Sequence, residues 1–597
     1  MIAMKISFWK LFWPAFIAIM VGFILWLLVF FGVIGGIVAL AKSSDEEVIN
    51  SSTILHLTLD GEIKENGTSE LNPSNFEVNS SFGLSDLLYG FEKAAKDPSI
   101  KGIYVELNTF NSGIANIQEL RNALNKFKKS GKFIVAYHSG EYIPLKQYYL
   151  TSCIDENYGF PTSNFEFLGL STEPTFYKNT LDKLGIEMQV IRGKENDFKS
   201  AVEPFLYTKM SDSSRLQTNV LLTNVWKLIL SDISKDRNIP ISTLNNFAEK
   251  ATVRNLTIAK KHHLIKDLKF KDEIIALLKK KINYKGDERP LHSFEKYSKE
   301  KFYLNQQLNS SSKKSIAVIL TEGEISSNGD ELNAEKVAGY IRSAREDKSI
   351  ETVVLRINSP GGSALASEVL WREINLTNKS KKVIVSMGNV AASGGYYMAC
   401  AGDKIFAENT TITGSIGVFG LIPYTGGFLS DKLGITIDEV KTNAHSNMSL
   451  NKKLSIEEIQ LVQTEIDEIY NQFIQKVSIG RKLTPEFVHT IARGRVWTGA
   501  DAKRIGLVDE IGGIEDAIAY ATKKSKLKNP QIKYWPKKTK EPFEEIIESL
   551  QDIKENNASI SSSVKIPTNL LKTLQKIEKL QQCSRIQMKL PFEYNID

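Results

Sequence analysis

The chain repeats itself once, and this duplication limits its possible folds more than any other feature. Segments of the first half reappear in the same order in the second half, roughly 250 residues further along. The matching pairs are Ser52–Ile63 with Lys314–Ile325, Lys101–Gly113 with Glu351–Ser363, Gln147–Asn157 with Gly395–Ile405, and Leu181–Ile186 with Ser430–Ile435. Each copy is long enough to be a domain, so the pattern indicates a tandem duplication rather than a solenoid.

Both copies alternate short runs rich in Val and Ile with helix-like stretches. SIAVILT and KVIVSM are examples of the apolar runs, and ALASEVLWREINLT is an example of a helical stretch. Continuous apolar strands that alternate with helices predict a parallel sheet covered on both faces. We therefore predict an α/β fold with two tandem domains, 46–300 and 301–530, and a poorly patterned joint near 280–312.

A long apolar segment precedes the first copy. Residues 11–41 lie between Lys10 and Lys42 without a charged side chain. This segment can cross a hydrocarbon core of ~30 Å, and it is longer than the apolar region of about 7–15 residues in a cleavable signal peptide. Lys5 and Lys10 precede it and acidic residues follow Lys42, which favours a cytoplasmic N-terminus and an exported body. Residues 1–45 are predicted to be a single-pass transmembrane anchor that contacts the lipid bilayer through residues 11–41.

The last segment, 531–597, departs from the pattern of both copies. It is charged at first, then rich in Ser, and it continues into IPTNLLKTLQKIEKLQQ, which has the spacing of an amphipathic helix. We predict a C-terminal extension, and no motif in it indicates a role.

Charge and cysteine content exclude several function classes. The net charge of +7 is spread through mixed Lys/Glu segments, without a basic block interleaved with aromatic residues, so we expect no nucleic-acid binding. Cys153, Cys400 and Cys583 form no pair at metal-ligand or disulfide-framework spacing. With no nucleotide-binding motif either, we expect no cofactor and no metal.

Ser393 is the strongest candidate nucleophile. It follows the apolar run KVIVSM after a short loop and opens the helix-like run SGGYYMACA. A serine at a helix N-terminus would have an exposed hydroxyl beside amide donors, which suits a nucleophile, although the position equally suits an ordinary N-cap serine. Weaker candidates are Ser415 in the turn TITGSIG, and Ser359 and Ser363 on either side of a glycine pair.

That glycine pair, Gly361 and Gly362, lies between a predicted strand and a predicted helix in RINSPGGSALASEVL. Glycines allow a ligand to approach the backbone closely, and amides at a helix start point towards an anion. The pair therefore suits an oxyanion hole, while the same residues also suit a simple turn.

A nucleophilic serine needs a base, and both His and Lys are available. None of the seven histidines lies in a motif typical of a Ser/His/Asp triad, but such triads assemble from distant segments. A lysine can act as base when burial lowers its pKa. The segment GKENDFKSAVEPFL contains Lys194 and Lys199, and the residues after Lys199 are the more apolar.

The two copies differ at each candidate position. When they are aligned on their paired tyrosines, the counterparts are Leu145 for Ser393, Thr109–Ser112 for Ser359–Gly362, and Asn447 or Met448 for Lys199. The first copy therefore lacks the serine and the glycines, and the second lacks the lysine. Each copy contains half of the candidate site.

The blocks NSPGGS, AASGGYY, TGSIG, KSAVEPF and GRVWTGADAKRIGLVDEIGG closely resemble the long form of signal peptide peptidase A. The resemblance extends from the apolar segment to about residue 525. It implies two domains like those of Clp protease and the crotonases, and a serine protease with a Ser/Lys dyad. By motif, Ser393 corresponds to the nucleophile and Lys199 to the general base, and we expect the backbone amides of Gly361, Gly362 and Ser393 to form the oxyanion hole.

The resemblance also implies partners and a location. The substrates of the protein would be signal peptides and other apolar peptides. The protein would be a homo-oligomer, and the resemblance implies a tetramer. The location would be the bacterial inner membrane, with the catalytic body in the periplasm.

Three other readings of the same residues remain open. A crotonase-like acyl-thioester enzyme uses a similar glycine loop, a protease could pair Ser393 with His445, and a membrane scaffold could retain Ser393 and Lys199 without catalysis.

Overall fold

The computed structural model describes 13, 16, 20–22, 52–72, 77–81, 83–193, 195–299, 301, 314–329, 331–536 and 586–590. The strands in chain order are β1 (Thr53–Glu62), β2 (Thr68–Asn72), β3 (Glu77–Ser81), β4 (Ile100–Asn111), β5 (Phe133–His138), β6 (Tyr142–Ile143), β7 (Glu156–Gly159), β8 (Asn164–Phe165), β9 (Glu187–Arg192), β10 (Asp267–Leu268), β11 (Leu291–Ser293), β12 (Ser315–Glu322), β13 (Ile325–Ser326), β14 (Leu332–Asn333), β15 (Ile350–Ser359), β16 (Gly361–Ser363), β17 (Val383–Ala392), β18 (Lys404–Ala407), β19 (Ile412–Gly414), β20 (Phe419–Tyr424), β21 (Val496–Thr498), β22 (Glu510–Ile511), β23 (Gln531–Trp535) and β24 (Ile586–Lys589).

The α-helices alternate with these strands as the sequence predicts. They are α1 (Leu84–Lys96), α2 (Ile114–Lys128), α3 (Leu145–Thr151), α4 (Lys178–Leu184), α5 (Glu203–Leu206), α6 (Asp212–Arg237), α7 (Ile241–Glu249), α8 (Leu256–Lys261), α9 (Lys271–Lys281), α10 (Ala334–Glu346), α11 (Ala364–Ser380), α12 (Gly394–Ala399), α13 (Ile456–Arg481), α14 (Pro485–Ile491), α15 (Gly499–Arg504) and α16 (Ile514–Lys524).

Each copy builds its own sheet, and the two sheets share one strand order. In the first copy the order is β10-β7-β5-β4-β1-β11, and all of its pairs are parallel. The second sheet has eight strands, of which β22-β18-β17-β15-β12-β23 repeat this order with all pairs parallel. The other two continue from β17, where β19 is parallel to β17 and β21 is antiparallel to β19. The central strand β12 is buried at every residue before Glu322, because its SIAVILT run is covered on both faces. The predicted duplicated α/β fold is present.

A third sheet crosses the predicted domain boundaries. Its order is β14-β13-β16-β24-β20-β9, so it combines strands of the second copy with β9 from the first and β24 from the C-terminal extension. In addition, β23 pairs with β12 and extends the second sheet to Trp535, beyond the boundary predicted at residue 530. Residues described within 52–67, 83–536 and 586–590 belong to one compact unit.

A buried cluster of charged side chains joins the copies. Arg356 on β15 is completely buried, and its guanidinium donates to Glu65 at 2.8 and 3.0 Å and to Glu119 at 2.6 Å, both in the first copy. Burial, with the nearby Glu65 carboxylate, raises the pKa of Glu322 to about 7. Burial, with Glu119 nearby, raises the pKa of Glu408 to about 8. The buried ion pairs of Arg356 thus join the two copies where water does not screen them.

The predicted transmembrane segment lies largely outside the described residues. Between 11 and 41, only residues 13, 16 and 20–22 are described, and these are helical. Among the described residues, no helix has both the length and the apolar character needed to span a membrane.

Candidate active site

Ser393 lies at a strained turn between β17 and helix α12. Its backbone has φ 55° and ψ −115°, a conformation that costs a non-glycine residue free energy and that often marks a functional site. Ser393 occupies the N-cap position of helix α12, but its side chain makes no helix-capping hydrogen bond. Ser393 is also completely buried, so the expected exposed hydroxyl is not found.

Lys199 reaches this turn from the first copy because β9 crosses to the second. Arg192 and Ile191 pair with Phe419 and Gly420 in an antiparallel ladder, and the chain after Arg192 then runs beside the second copy. The turn at Gly494 holds the lysine backbone from the other side. Gly494 has φ 78°, and an added Cβ would lie 2.5 Å from Lys199 Cβ, so only glycine permits this approach.

The two predicted half-sites meet at a direct contact. Lys199 Nζ lies 2.7 Å from Ser393 Oγ, 2.9 Å from Ser415 Oγ and 2.9 Å from the Ser415 carbonyl oxygen. A neutral lysine has two N–H donors and one lone pair, and a carbonyl oxygen can only accept. One N–H therefore goes to the Ser415 carbonyl and the other suits Ser415 Oγ, which leaves the lone pair to accept the Ser393 proton.

Burial favours this neutral form of the lysine. Lys199 is completely buried, and loss of hydration holds the pKa of its ammonium well below the usual value of 10.5. The sequence-based expectation that a buried lysine would have a lowered pKa thus agrees with the geometry.

The glycine loop lies against the same turn. Gly361 has φ 99° and Gly362 has φ 152°, and an added Cβ on either residue would overlap backbone atoms of another segment. The Gly361 amide donates to Ser359 Oγ at 3.2 Å. The Ser393 amide donates to the Gly414 carbonyl at 2.8 Å, because the turn points it back at β19. The Ser393 amide is therefore engaged, contrary to its expected place in an oxyanion hole.

The amide of Gly394 is better placed than that of Ser393. Gly394 begins helix α12, and the first N–H groups of a helix have no acceptor within it. Its nitrogen lies 2.7 Å from the position that a Cβ on Gly361 would take, so it faces the glycine loop.

Comparison with known proteins identifies the family. The family model for peptidase family S49 matches residues 126–285 and 375–528, and a Clp protease model matches residues 308–413. The chain belongs to peptidase family S49. It is 35% identical over 489 residues to "Serine protease SPPA, chloroplastic" of Arabidopsis thaliana, which covers 80% of this chain and 70% of that protein.

Two bacterial relatives give the same result. This S49 peptidase is 35% identical over 495 residues to Protease 4 of Haemophilus influenzae, covering 79% of this chain and 78% of the relative. It is 34% identical over 466 residues to Protease 4 of Salmonella typhi, covering 76% and 74%. The predicted resemblance to the long form of signal peptide peptidase A is confirmed, and the protein is a serine protease.

The remaining sequence candidates lie elsewhere or have structural roles in this S49 peptidase. Lys194 lies outside the described residues. The side chain of His445 is 45% exposed, with its Nδ1 3.9 Å from a Glu458 oxygen. Ser359 donates to the Gly323 carbonyl at 2.7 Å, and Ser363 caps helix α11 by accepting from Ala366 N. Sequence reasoning missed the contact of Ser415 with Lys199, for which the glycine-bounded turn TITGSIG was the available signal.

Proposed function

We propose that this S49 peptidase is a membrane-anchored endopeptidase in which Ser393 is the nucleophile and Lys199 the general base. The 2.7 Å separation of Lys199 Nζ and Ser393 Oγ, in a fully buried site, is the observation that supports this dyad most directly. The exposure of His445 favours the lysine over the histidine as base.

The dyad accounts for both steps of peptide hydrolysis, the formation of an acyl ester on Ser393 and its hydrolysis. Neutral Lys199 accepts the Ser393 hydroxyl proton as Ser393 Oγ attacks the peptide carbonyl carbon. The lysine ammonium then protonates the departing amine, which leaves an acyl ester on Ser393. Lys199 next takes a proton from water, the resulting hydroxide attacks the ester, and Ser393 is regenerated. Ser415 orients Lys199 through its hydroxyl and carbonyl oxygens.

The negative charge on the attacked carbonyl oxygen needs amide donors that point towards that oxygen. We assign this role to the amides of Gly362 and Gly394, since the Ser393 amide is bonded to Gly414 and the Gly361 amide to Ser359. Gly361 contributes by lacking a Cβ, which leaves space for the substrate carbonyl.

The proposed substrates are signal peptides after their release from preproteins, and other apolar peptides. The uncharged segment 11–41 supports a place at the inner membrane, where such peptides remain, with the catalytic body in the periplasm. In reconstituted vesicles, we expect the full chain to degrade a synthetic signal peptide embedded in the bilayer, measured by mass spectrometry. Recovery of the intact peptide, with normal hydrolysis of a short soluble peptide, would contradict this substrate class.

Homo-oligomerisation is also proposed, and an exposed apolar surface supports it. Four apolar residues that are close in the chain are exposed: Leu433 (54%), Ile435 (48%), Ile437 (55%) and Val440 (99%). Single exposed apolar residues are common, whereas a group of them is typical of an interaction surface. Light scattering of the full chain in detergent measures the mass of the assembly. We expect a multiple of the mass of one chain, and the mass of a single chain would contradict the proposal.

The dyad is tested by substitutions at its two members. We expect Ser393→Ala and Lys199→Met each to lower kcat for an added apolar peptide by about 10³-fold or more, and His445→Ala to leave it unchanged. Because only the neutral lysine accepts a proton and its pKa is lowered, activity should rise with pH and reach its plateau well below pH 10.5. Normal turnover by Lys199→Met, or loss of turnover in His445→Ala, would refute the Ser/Lys assignment.

A further inference from the structure

A buried glutamine contacts the chain on both sides of Lys199. Gln217 lies on helix α6 and is 2% exposed. Its side-chain nitrogen, Nε2, donates to the Phe198 carbonyl oxygen at 2.9 Å and to Ser200 Oγ at 3.0 Å. Its side-chain oxygen, Oε1, accepts from the backbone amide of Val496 at 3.3 Å. Because Phe198 and Ser200 are the immediate neighbours of Lys199, one amide group holds the segment that carries the lysine.

The oxygen end of this amide bonds to the strand beside Ser415. Val496 lies on β21, which pairs with β19. The preceding residue, Arg495, accepts a hydrogen bond from the Ser415 backbone amide at 2.7 Å. Ser415 in turn lies 2.9 Å from Lys199 Nζ through both its hydroxyl and its carbonyl oxygen. The glutamine amide therefore links the backbone of the lysine to the strand that holds the partner of its Nζ.

The partners of Gln217 also determine which way its amide points. A carbonyl oxygen can only accept a hydrogen bond and a backbone N–H can only donate one. The Phe198 carbonyl therefore requires the NH₂ group, and the Val496 amide requires the oxygen. A carboxylate of similar length offers no N–H donor, and a thioether offers neither donor nor strong acceptor. This position uses both ends of a glutamine side chain.

A second buried glutamine joins the two copies without contacting the lysine segment. Gln118 on helix α2 is 6% exposed. Its Oε1 accepts from the backbone amide of Thr410 at 3.2 Å and from the Thr410 hydroxyl at 2.6 Å. Loss of its amide would remove buried hydrogen bonds of the same kind and leave those of Lys199 and Ser415 in place. Gln118 is therefore a matched comparison for Gln217.

We propose that Gln217 is a positioning residue of this protease, which fixes Lys199 Nζ between Ser393 and Ser415 by holding the backbone on both sides of the lysine. The inference rests on the proposed dyad. A lysine amine stands on a flexible four-carbon stem. The 2.7 Å contact of Lys199 Nζ with Ser393 Oγ therefore depends on where the backbone places the base of that stem. A misplacement of about 1 Å can lower a rate by about 10²-fold.

Loss of the hydrogen bonds of Gln217 should change both the rate and its pH dependence. Burial holds the pKa of Lys199 well below 10.5. A lysine segment that is no longer fixed would admit water to Nζ, and hydration raises this pKa. Because only the neutral lysine accepts a proton, the pH at which kcat is half-maximal should move upward. KM should change little, since the buried Gln217 bonds to the segment of the base and not to the glycine loop.

The test measures kcat and KM against pH for full chains in detergent, with a synthetic fluorogenic peptide as substrate. Gln217→Met should lower kcat by about tenfold or more and raise the pH of half-maximal kcat by about one unit. Gln217→Glu keeps the acceptor for Val496 but adds a carboxylate beside the lysine segment, so it should raise this pH further. Gln118→Met, the control, should keep the wild-type kcat and pH of half-maximal rate.

The outcomes separate this inference from the proposed function. A Gln217→Met chain with the kcat and pH profile of the wild type overturns the positioning role and leaves the dyad standing. A lower kcat without a shift in the pH profile assigns Gln217 to stability alone and overturns the role equally. Gln217→Glu is judged in the same way, so the test does not depend on the folding of one variant. Normal hydrolysis by Lys199→Met contradicts the proposed function instead.

Discussion

The two copies enter equivalent helices by different turns. In the first copy, Pro144 precedes Leu145 with φ −71° and ψ 158°, an ordinary extended conformation. In the second, Ser393 adopts φ 55° and ψ −115° before helix α12. Leu145, the counterpart of Ser393, is buried in the core of its own copy. The strained backbone occurs where the chemistry is proposed, and the copy without the serine has a relaxed turn and an apolar side chain instead.

A second difference concerns the central strands. Aligned residue by residue, Arg356 on β15 corresponds to Glu106 on β4. Arg356 bonds to Glu65 and Glu119 of the other copy, whereas Glu106 bonds to His56 and Lys271 of its own. The same position thus holds the copies together in one case and stabilises a single copy in the other.

The prediction with the largest expected effect concerns a serine introduced into the first copy in place of Ser393. In a Ser393→Ala chain, Leu145→Ser should restore no peptide hydrolysis, so turnover stays about 10³-fold or more below the wild type. The reason is that the turn at Pro144 is relaxed, and Lys199 Nζ lies at Ser393. Turnover in the double variant above that of Ser393→Ala alone, measured with a synthetic fluorogenic peptide, would contradict this explanation.

The next effect concerns the contact between the copies. Arg356→Met should lower the free energy of unfolding by about 3–5 kcal/mol, because it leaves two buried carboxylates without their guanidinium partner. Glu106→Gln, at the equivalent position, should cost less, about 1–3 kcal/mol. Urea unfolding followed by circular dichroism gives both values. Equal losses in the two variants would contradict the larger contribution expected of the contact between the copies.

A smaller effect is expected from the residue that orients the lysine. Ser415→Ala should lower kcat by about tenfold, which corresponds to one lost hydrogen bond, and change KM little, because Ser415 contacts Lys199. Ser446→Ala, at an exposed serine of the same copy, is the control. A change confined to KM would instead assign Ser415 to substrate binding.

The last effect concerns the pH dependence of stability and not turnover. Since the pKa of Glu408 is raised to about 8, folding favours its protonated form. Its contribution to stability is full below its ordinary pKa of 4.5 and is lost as pH rises through about 8. Glu408→Gln should therefore reduce the loss of unfolding free energy between pH 5 and pH 9, measured by urea titration. An unchanged pH dependence in this variant would contradict a raised pKa at Glu408.

The amino-acid sequence alone predicted much of the fold and both candidate half-sites. Continuous apolar runs such as SIAVILT predicted the buried parallel strands, because a strand covered on both faces cannot alternate polar and apolar residues. Ser393 and Lys199 were identified because the copies differ at those positions and because the motifs around them match a known family. Each of these signals is read from a short stretch of sequence, so no coordinates are needed to detect it.

The contacts that were missed join segments that are far apart in the chain. The pairing of Arg356 with Glu65, the support of Lys199 by Ser415 and the insertion of β24 all depend on the third sheet or on packing between copies. QMKL is too short to show a strand pattern. Its partner strands, β16 and β20, lie far earlier in the chain.

The sequence by itself indicated a duplicated α/β architecture, an apolar N-terminal segment and two halves of a candidate catalytic site. Only the tertiary structure decided that these halves meet, since β9 pairs with β20 and carries Lys199 to 2.7 Å from Ser393. It also decided the environment of the lysine, because burial holds the pKa of Lys199 well below 10.5 and no residue type by itself specifies burial. Periodicity and motifs depend on residues that are neighbours in the sequence, whereas desolvation and hydrogen-bond geometry arise only when distant segments pack together.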